Sequence, residues 1–212
     1  MEYLDVSYNQ LSGSLKLDSL PDTLTDFCAI ANQFSGSVDL TKLPAALVNL
    51  NLYKNQLSGS VVLTQLPSCL EYLDLASNQF SGALNLTKLP ISLAHLNLRR
   101  NSFSGTVDLS QTSVVLTQLP SCLEYLDLAS NQFSGALNLT KLPISLAHLN
   151  LRRNSFSGTV DLSQTPQGLE ELDLSDNQLS GEVFISDALY DIVNVQHTKL
   201  IKRNMSDWSR TE

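Results

Sequence analysis

The sequence predicts a β-rich solenoid, an elongated stack of similar short coils. All seven prolines fall in one slot of a recurring phrase, and eight of the nine glycines fall in another, each preceded by serine. A fixed period of this length indicates a repeat architecture. An asparagine marks the repeat at spacings of 23 residues, with one interval of 30, at Asn9, Asn32, Asn55, Asn78, Asn101, Asn131, Asn154 and Asn177.

Seven apolar positions in each repeat are predicted to face a shared core. Leu73 and Leu75 alternate with polar residues, and so do Leu84 and Leu86. This period of two predicts two short strands in each coil. The Phe-Ser-Gly segment between them is predicted to be a bend, where glycine permits a positive φ. The Leu-Pro segment is predicted to be a corner outside the sheets, because proline has no backbone donor. In the repeat of Asn78 the seven positions are Leu70, Leu73, Leu75, Phe80, Leu84, Leu86 and Leu89.

The repeated motif LxxLxLxxNxFSG resembles the leucine-rich repeat family. Its Ser-Gly pair is similar to plant-type receptor-like proteins, whereas its Leu-Pro corner and its period resemble repeat proteins of protists. The Gly-x-Ile-Pro ending of plant-type repeats is absent. The resemblance implies a curved right-handed solenoid, grouped by family with the α/β class, that has a parallel β-sheet on its concave face and short second strands or irregular segments on its convex side. It also implies an asparagine ladder and a role in binding other proteins.

A long internal duplication interrupts the regular period. Residues Ser60–Thr112 and Ser113–Thr165 are identical over 53 positions, which is two repeats plus seven residues. We predict that Val107–Leu109 stays in the stack because it follows Gly105 at the usual offset, leaving a seven-residue loop near 111–117. The domain assignment is a solenoid of about eight repeats over 1–189, followed by a degenerate final repeat and a C-terminal tail over 190–212.

Composition and cysteine placement exclude several functions but leave the compartment open. A net charge of −8 and a pI of about 4.7 disfavour binding to nucleic acid. No apolar run is long enough for a spanning helix, which excludes direct membrane insertion. Cys69 and Cys122 lie two coils apart, too far for a disulfide, so free thiols are expected. A complete chain would then be cytoplasmic. Glycosylation motifs at Asn85, Asn138 and Asn204 are instead usable only in a secreted protein or a fragment of a surface receptor.

Polar and aromatic side chains on the first strand of each coil are the candidate binding residues. Positions six, four, two and one before each asparagine should point to solvent, because they alternate with the buried leucines. Tyr and Arg are favoured anchors at interfaces, so we predict that this face binds a protein or peptide. The predicted binding residues are Tyr72, Asp74, His95, Asn97, Arg99, Arg100, Tyr125, Asp127, His148, Asn150, Arg152 and Arg153.

Two alternatives to partner binding are open. In the first, Arg99 and Arg152 pair diagonally with aspartates of neighbouring coils and only solubilise the sheet, which would suit a structural spacer array. These aspartates are Asp74, Asp127 and Asp173. In the second, His95 and His148 near Asp74 would perform acid-base chemistry, but an open sheet lacks the enclosed pocket that such chemistry needs. The chain is therefore predicted to be a non-catalytic monomer with no cofactor or metal.

Overall fold

The computed structural model describes residues 1–106 and 119–204, which form nine stacked coils. Each coil contributes one strand to each of two parallel sheets, and each sheet follows chain order from coil to coil. The concave sheet contains β1 (Tyr3–Asp5), β3 (Asp26–Cys28), β5 (Asn49–Asn51), β7 (Tyr72–Asp74), β9 (His95–Asn97), β11 (Tyr125–Asp127), β13 (His148–Asn150), β15 (Glu171–Asp173) and β17 (Val193–Asn194).

The convex sheet is built from the second strand of each coil. Helical structure in the described residues is limited to α1 (Asp187–Tyr190) and two short 3₁₀ turns, Leu17–Ser19 and Leu40–Lys42. The strands are β2 (Ser12–Ser14), β4 (Gln33–Gly36), β6 (Gln56–Gly59), β8 (Gln79–Ala83), β10 (Ser102–Thr106), β12 (Gln132–Ala136), β14 (Ser155–Gly158), β16 (Gln178–Ile185) and β18 (Lys199–Asn204).

The second strand begins earlier in the coil than the sequence pattern predicts. The prediction of a strand at Leu84–Leu86 is wrong, since β8 ends at Ala83 and includes the Phe-Ser-Gly segment that was predicted to bend. Gly82 adopts a φ of +86° inside this strand. Leu84 and Leu86 are both buried, and Asn85 between them accepts the Thr87 backbone N–H and forms a local turn. The alternation therefore marks an irregular segment that fills the core.

The lengthened fifth repeat leaves both sheets continuous. Tyr125 pairs with His95 across 30 residues in the same register that links other neighbouring coils. β10 likewise pairs with β12. Val107–Leu109 and the loop near 111–117 lie outside the described residues, so their predicted placement stays a prediction. The stack thus absorbs the extra residues without a gap in either ladder.

Leucines and phenylalanines fill the space between the two sheets. The apolar positions of coils 3 to 8 are almost all fully buried, as Leu73 and Leu75 illustrate at 0% exposure. Phe80 and Phe103 stack with ring centroids 6.1 Å apart, and Phe133 and Phe156 repeat this contact at 6.2 Å. Burial of these side chains between coils is the main stabilising term of the fold.

The asparagines that recur at one slot of successive coils form a hydrogen-bonded ladder along the solenoid. Asn78 accepts the Leu57 N–H at 3.0 Å and donates to the Leu52 carbonyl at 3.0 Å, both in the preceding coil. Asn131 makes the same pair of contacts across the lengthened repeat. In the last coil Thr198 occupies the asparagine slot, and its hydroxyl bonds only Val195 and Leu200 of its own coil. The ladder therefore ends there.

Candidate functional site

Four aromatic rings form a stack across the middle of the concave sheet. Tyr72 and His95 lie 4.2 Å apart with an interplanar angle of 12°, and His95 and Tyr125 lie 4.2 Å apart at 6°. His148 extends the row, tilted by 46° against Tyr125 at 5.9 Å. The rings stand on neighbouring strands, whose spacing of roughly 4.8 Å suits ring stacking. The faces of the His95 ring are consequently covered by the two tyrosines.

This stack shields His95 from water. Its Nε2 is buried and has no hydrogen-bond partner among the described residues. Burial lowers the pKa of His95 to about 4, because a charged imidazolium would lose its hydration. Burial also raises the pKa of Tyr72 to about 12. His95 is therefore neutral at physiological pH and serves as a packed ring.

The aspartates and asparagines four residues before the ladder asparagine close a local turn. Asp74 accepts the Ala76 N–H at 2.8 Å, and Asp127 accepts the Ala129 N–H at 2.8 Å. Asn97 and Asn150 make the equivalent contact at 3.2 and 3.1 Å. Each of these four predicted binding residues therefore stabilises the turn that follows its own strand. The sequence pattern did not reveal this role.

The prediction that this row points to solvent is wrong for the aspartates. Asp74, Asp127 and Asp173 are only 7%, 1% and 9% exposed, because side chains on the adjacent coils cover them. Burial raises the pKa of Asp74 and Asp127 above the ordinary aspartate value. Asn97 lies between the first two and donates to the Asp74 carboxylate at 3.1 Å. The alternation of Asp and Asn keeps the buried charges two coils apart, which limits their mutual repulsion.

The two predicted arginine pairs lie in different surroundings. Arg152 Nε and Arg153 Nε lie 2.9 and 3.4 Å from the Asp176 carboxylate, so the predicted pairing of Arg152 with Asp173 is replaced by one with Asp176. Arg99 lies 4.0 Å from Asp127, beyond hydrogen-bonding distance. Arg100 is exposed and makes no ion pair within the described ranges. Both arginines of the second pair lie within 3.4 Å of a carboxylate, whereas the first pair has a single, longer ion pair.

A shallow depression of about 310 Å³ lies beside the first pair. Arg99, Arg100, Tyr53 and Ser77 line it, and Asn97 lies in register between the two buried aspartates. It opens on the concave face between coils 3 and 6. Six predicted residues therefore line one depression, whereas Arg152 and Arg153 lie two coils away. These six are Asp74, Asn97, Arg99 and Arg100 of the first duplicated segment and Tyr125 and Asp127 of the second.

Charged residues outside the predicted set flank the aromatic stack. Exposed Glu71, Glu124 and Glu170 stand at the beginning of their strands, opposite the arginines at the strand ends. His148 Nε2 lies 3.4 Å from the Glu170 carboxylate. The alternating pattern does not include these glutamates, because they precede it by one residue. Their recurrence at one slot is the signal that identifies them.

Within residues 1–106 and 119–204, no group of three or more His, Cys, Asp or Glu side chains is arranged to hold a metal ion. No helix in this described part of the chain is long and apolar enough to cross a membrane. The three cysteines, Cys28, Cys69 and Cys122, are free. The Cys69 thiol donates instead to the Ala45 carbonyl of the preceding coil at 3.0 Å.

Comparison with known proteins reveals similarity in both sequence and fold. Leucine-rich repeat family models match residues 168–187, 67–83 and 120–136. No curated protein sequence matches the chain. A plant ice-binding protein is similar in fold, with a TM-score of 0.68 and 24% identity over 91% of this chain and 62% of that one.

Two plant receptors share the same architecture. The Arabidopsis receptor kinase HAESA, whose structure contains the peptide hormone IDA and the co-receptor SERK1, gives a TM-score of 0.64 at 27% identity over 94% of this chain and 38% of that one. A TDR receptor gives 0.64 at 24% identity over 96% and 35%. The chain therefore spans less than two thirds of each of these three proteins. Its repeat motif, its two parallel sheets and its asparagine ladder show that it belongs to the leucine-rich repeat proteins.

Proposed function

We propose that the chain is a non-catalytic interaction module whose concave sheet binds a protein or peptide. The observation that carries this proposal is the depression beside Arg99 and Arg100, where two exposed guanidinium groups make no hydrogen bond to a carboxylate of residues 1–106 or 119–204. Arginines with free donors in a concavity are favourable anchors for a partner. HAESA, a structure similar to this chain, contains a bound peptide hormone, which supports a peptide as one class of partner.

The charged residues around the aromatic stack give this face one acidic side and one basic side. Glu71, Glu124 and Glu170 form an acidic row at one end of the strands, and Arg99 and Arg100 form a basic edge at the other. A partner that runs along the solenoid would lie between the two rows. Opposite charges on its two sides would then fix its orientation. The stacked rings between the rows provide a rigid floor that loses little entropy on binding.

A structural spacer is the second candidate function. The pairing of Arg152 and Arg153 with Asp176 favours it for coils 7 and 8, because such surface pairs solubilise a sheet and contribute roughly 0–1 kcal/mol. The exposed and unpaired Arg100 has no such role in the described structure. Binding is therefore proposed for the first duplicated segment, and the spacer role remains the alternative for the rest of the array.

A random peptide display library selected against the immobilised full chain tests the proposal. Selected peptides should lose at least about tenfold in affinity to the double variant Arg99→Ala, Arg100→Ala, which corresponds to about 1.4 kcal/mol. The matched control is Gln132→Ala, an exposed position on the convex sheet. Binding unchanged by the arginine variant, or no enrichment after repeated selection, would favour the spacer.

A further inference from the structure

Each of the two arginine pairs, Arg99–Arg100 and Arg152–Arg153, is followed by a coil with a different residue beside the pair. The residue immediately before the ladder asparagine is Ser130 in the coil after the first arginine pair and Asp176 in the coil after the second. The registers Asn97↔Asp127 and Asn150↔Asp173 place both residues in equivalent positions. Both also have the same backbone conformation, with φ of +57° and +55°. The chain therefore contains two versions of one site, which differ in the residue beside the arginine pair and also at the equivalent positions Tyr125 and Glu171.

In the second version the carboxylate is bound by the chain itself. Asp176 Oδ2 accepts the Arg152 Nε–H at 2.9 Å and lies 3.4 Å from Arg153 Nε. His197 Nδ1 approaches the other oxygen at 2.7 Å. The hydrogen bond with His197, followed by that from Arg152, lowers the pKa of the Asp176 carboxyl. This geometry shows which group a pair of arginines in this slot can hold.

In the first version no carboxylate occupies that position. Ser130 supplies only a hydroxyl, Arg100 forms no ion pair with a described residue, and Arg99 is 4.0 Å from Asp127. The Arg99 side chain remains 45% exposed, whereas that of Asp127 is 2% exposed. The adjoining depression leaves room for a partner's side chain to enter.

We infer that Arg99 and Arg100 bind a carboxylate of the partner where Asp176 lies in the second version, and that Asp176 closes the second version to the same ligand. This inference rests on the proposed function and names the chemistry of the partner. A singly charged carboxylate fits better than a phosphate, because buried Asp74 and Asp127 lie in the same depression and would repel a doubly charged group. The duplication thus yields one binding site rather than two.

Titration of capped tetraglutamate into the full chain, followed through the Arg Nε–H resonances in NMR spectra, tests the inference. The resonances of Arg99 and Arg100 should shift, while those of Arg152 and Arg153 should not. Capped tetraglutamine is the neutral control. Tetraglutamine with a free C-terminus separates a terminal carboxylate from a side-chain carboxylate as the source.

Two reciprocal substitutions provide matched controls. Ser130→Asp copies Asp176 into the first version and should weaken tetraglutamate binding at least tenfold, while Ser130→Asn should leave it unchanged. Asp176→Ser should release Arg152 and Arg153, so that their resonances also shift. Both positions already have the same positive φ, which Asp and Asn tolerate.

The inference is overturned if neither acidic peptide shifts Arg99 and Arg100 selectively, if both pairs respond equally in the wild type, or if binding survives Ser130→Asp. Library-selected peptides distinguish this failure from failure of the proposed function. Peptides that require Arg99 and Arg100 but bind Ser130→Asp normally would contradict the carboxylate site alone. Absence of any peptide that requires the concave face would contradict the proposed function itself.

Discussion

The imidazole ring of His95 lies parallel to the phenol ring of Tyr125, with 4.2 Å between ring centroids and an angle of 6° between ring planes. The two residues belong to coils on either side of the lengthened fifth repeat. Tyr72 covers the opposite face of the imidazole. The stack therefore joins three coils through the region where the period changes.

The buried imidazole makes stability depend on pH. The pKa of His95 is about 4 in the folded chain and 6.5 in its ordinary state. Between these values the unfolded chain binds more protons, so this histidine reduces stability as pH falls from about 6.5 to 4. His95→Phe keeps a stacked ring without titration. In urea unfolding across this pH range, the free energy of unfolding should fall less for His95→Phe than for the wild type. Equal falls would contradict the assignment of this pH dependence to His95.

A buried carboxylate destabilises the concave sheet at neutral pH. The pKa of Asp127 is raised by burial, so its contribution to stability is present at low pH and lost as pH rises through that raised value. Asp127→Asn retains the oxygen that accepts the Ala129 N–H and should stabilise the chain at pH 7. The gain should diminish in acid. Asp127→Ala removes the acceptor and should instead cost about 1–3 kcal/mol in chemical unfolding.

The asparagine ladder predicts that the loss of unfolding free energy on replacing an asparagine depends on the position of its coil along the solenoid. Asn78→Ala leaves the Leu57 N–H of the preceding coil without its acceptor, which should cost about 1–3 kcal/mol, whereas the Leu52 carbonyl keeps a donor in Asn55 Nδ2 at 3.2 Å. Asn9 donates only to Val6 and Ser7 of its own coil. Asn9→Ala should therefore have a much smaller effect on the midpoint of chemical unfolding. Equal effects would show that the contacts between coils contribute little.

Gly168 offers a site for stabilisation. In the equivalent slots of earlier coils, Ser92 and Ser145 donate their hydroxyls to carbonyls of the preceding coil at 2.7–2.9 Å. Gly168 has no positive φ, and a Cβ there would meet nothing within 4 Å. Gly168→Ser should add this contact and restrict the unfolded chain, raising stability by about 0.5–1.5 kcal/mol. Gly82→Ala, at a φ of +86°, is the control and should destabilise.

Much of the architecture follows from the sequence because each coil buries the same apolar positions. The period of 23 predicts the register of the concave sheet, and the alternation around Leu73 predicts β7. The convex strands instead pair residues 21 positions apart, as Ser58 and Gln79 do. Leu84 and Leu86 alternate equally well yet form no strand. An alternating pattern reports which side chains are buried, whereas a strand also requires backbone pairing with the neighbouring coil.

The surroundings of the candidate site were predicted only in part, because they depend on contacts between coils. Tyr72 and His95 stack, and Arg99 and Arg100 line the depression, while binding by these residues stays a prediction. The burial of Asp127 and the pairing of Arg152 with Asp176 depend on side chains of adjacent coils. Such contacts join residues more than 20 positions apart, and a pattern within one repeat does not contain them.

The sequence by itself determined the coil, its period and its family, because seven apolar positions, an asparagine, a Ser-Gly pair and a proline recur in fixed slots. Only the tertiary structure decided that two identical segments are not equivalent. Stacking brings Asp176 to one arginine pair and Ser130 to the other, so the charge that each pair experiences is set by the following coil. Charge interactions act over distance in space, and the fold alone fixes those distances.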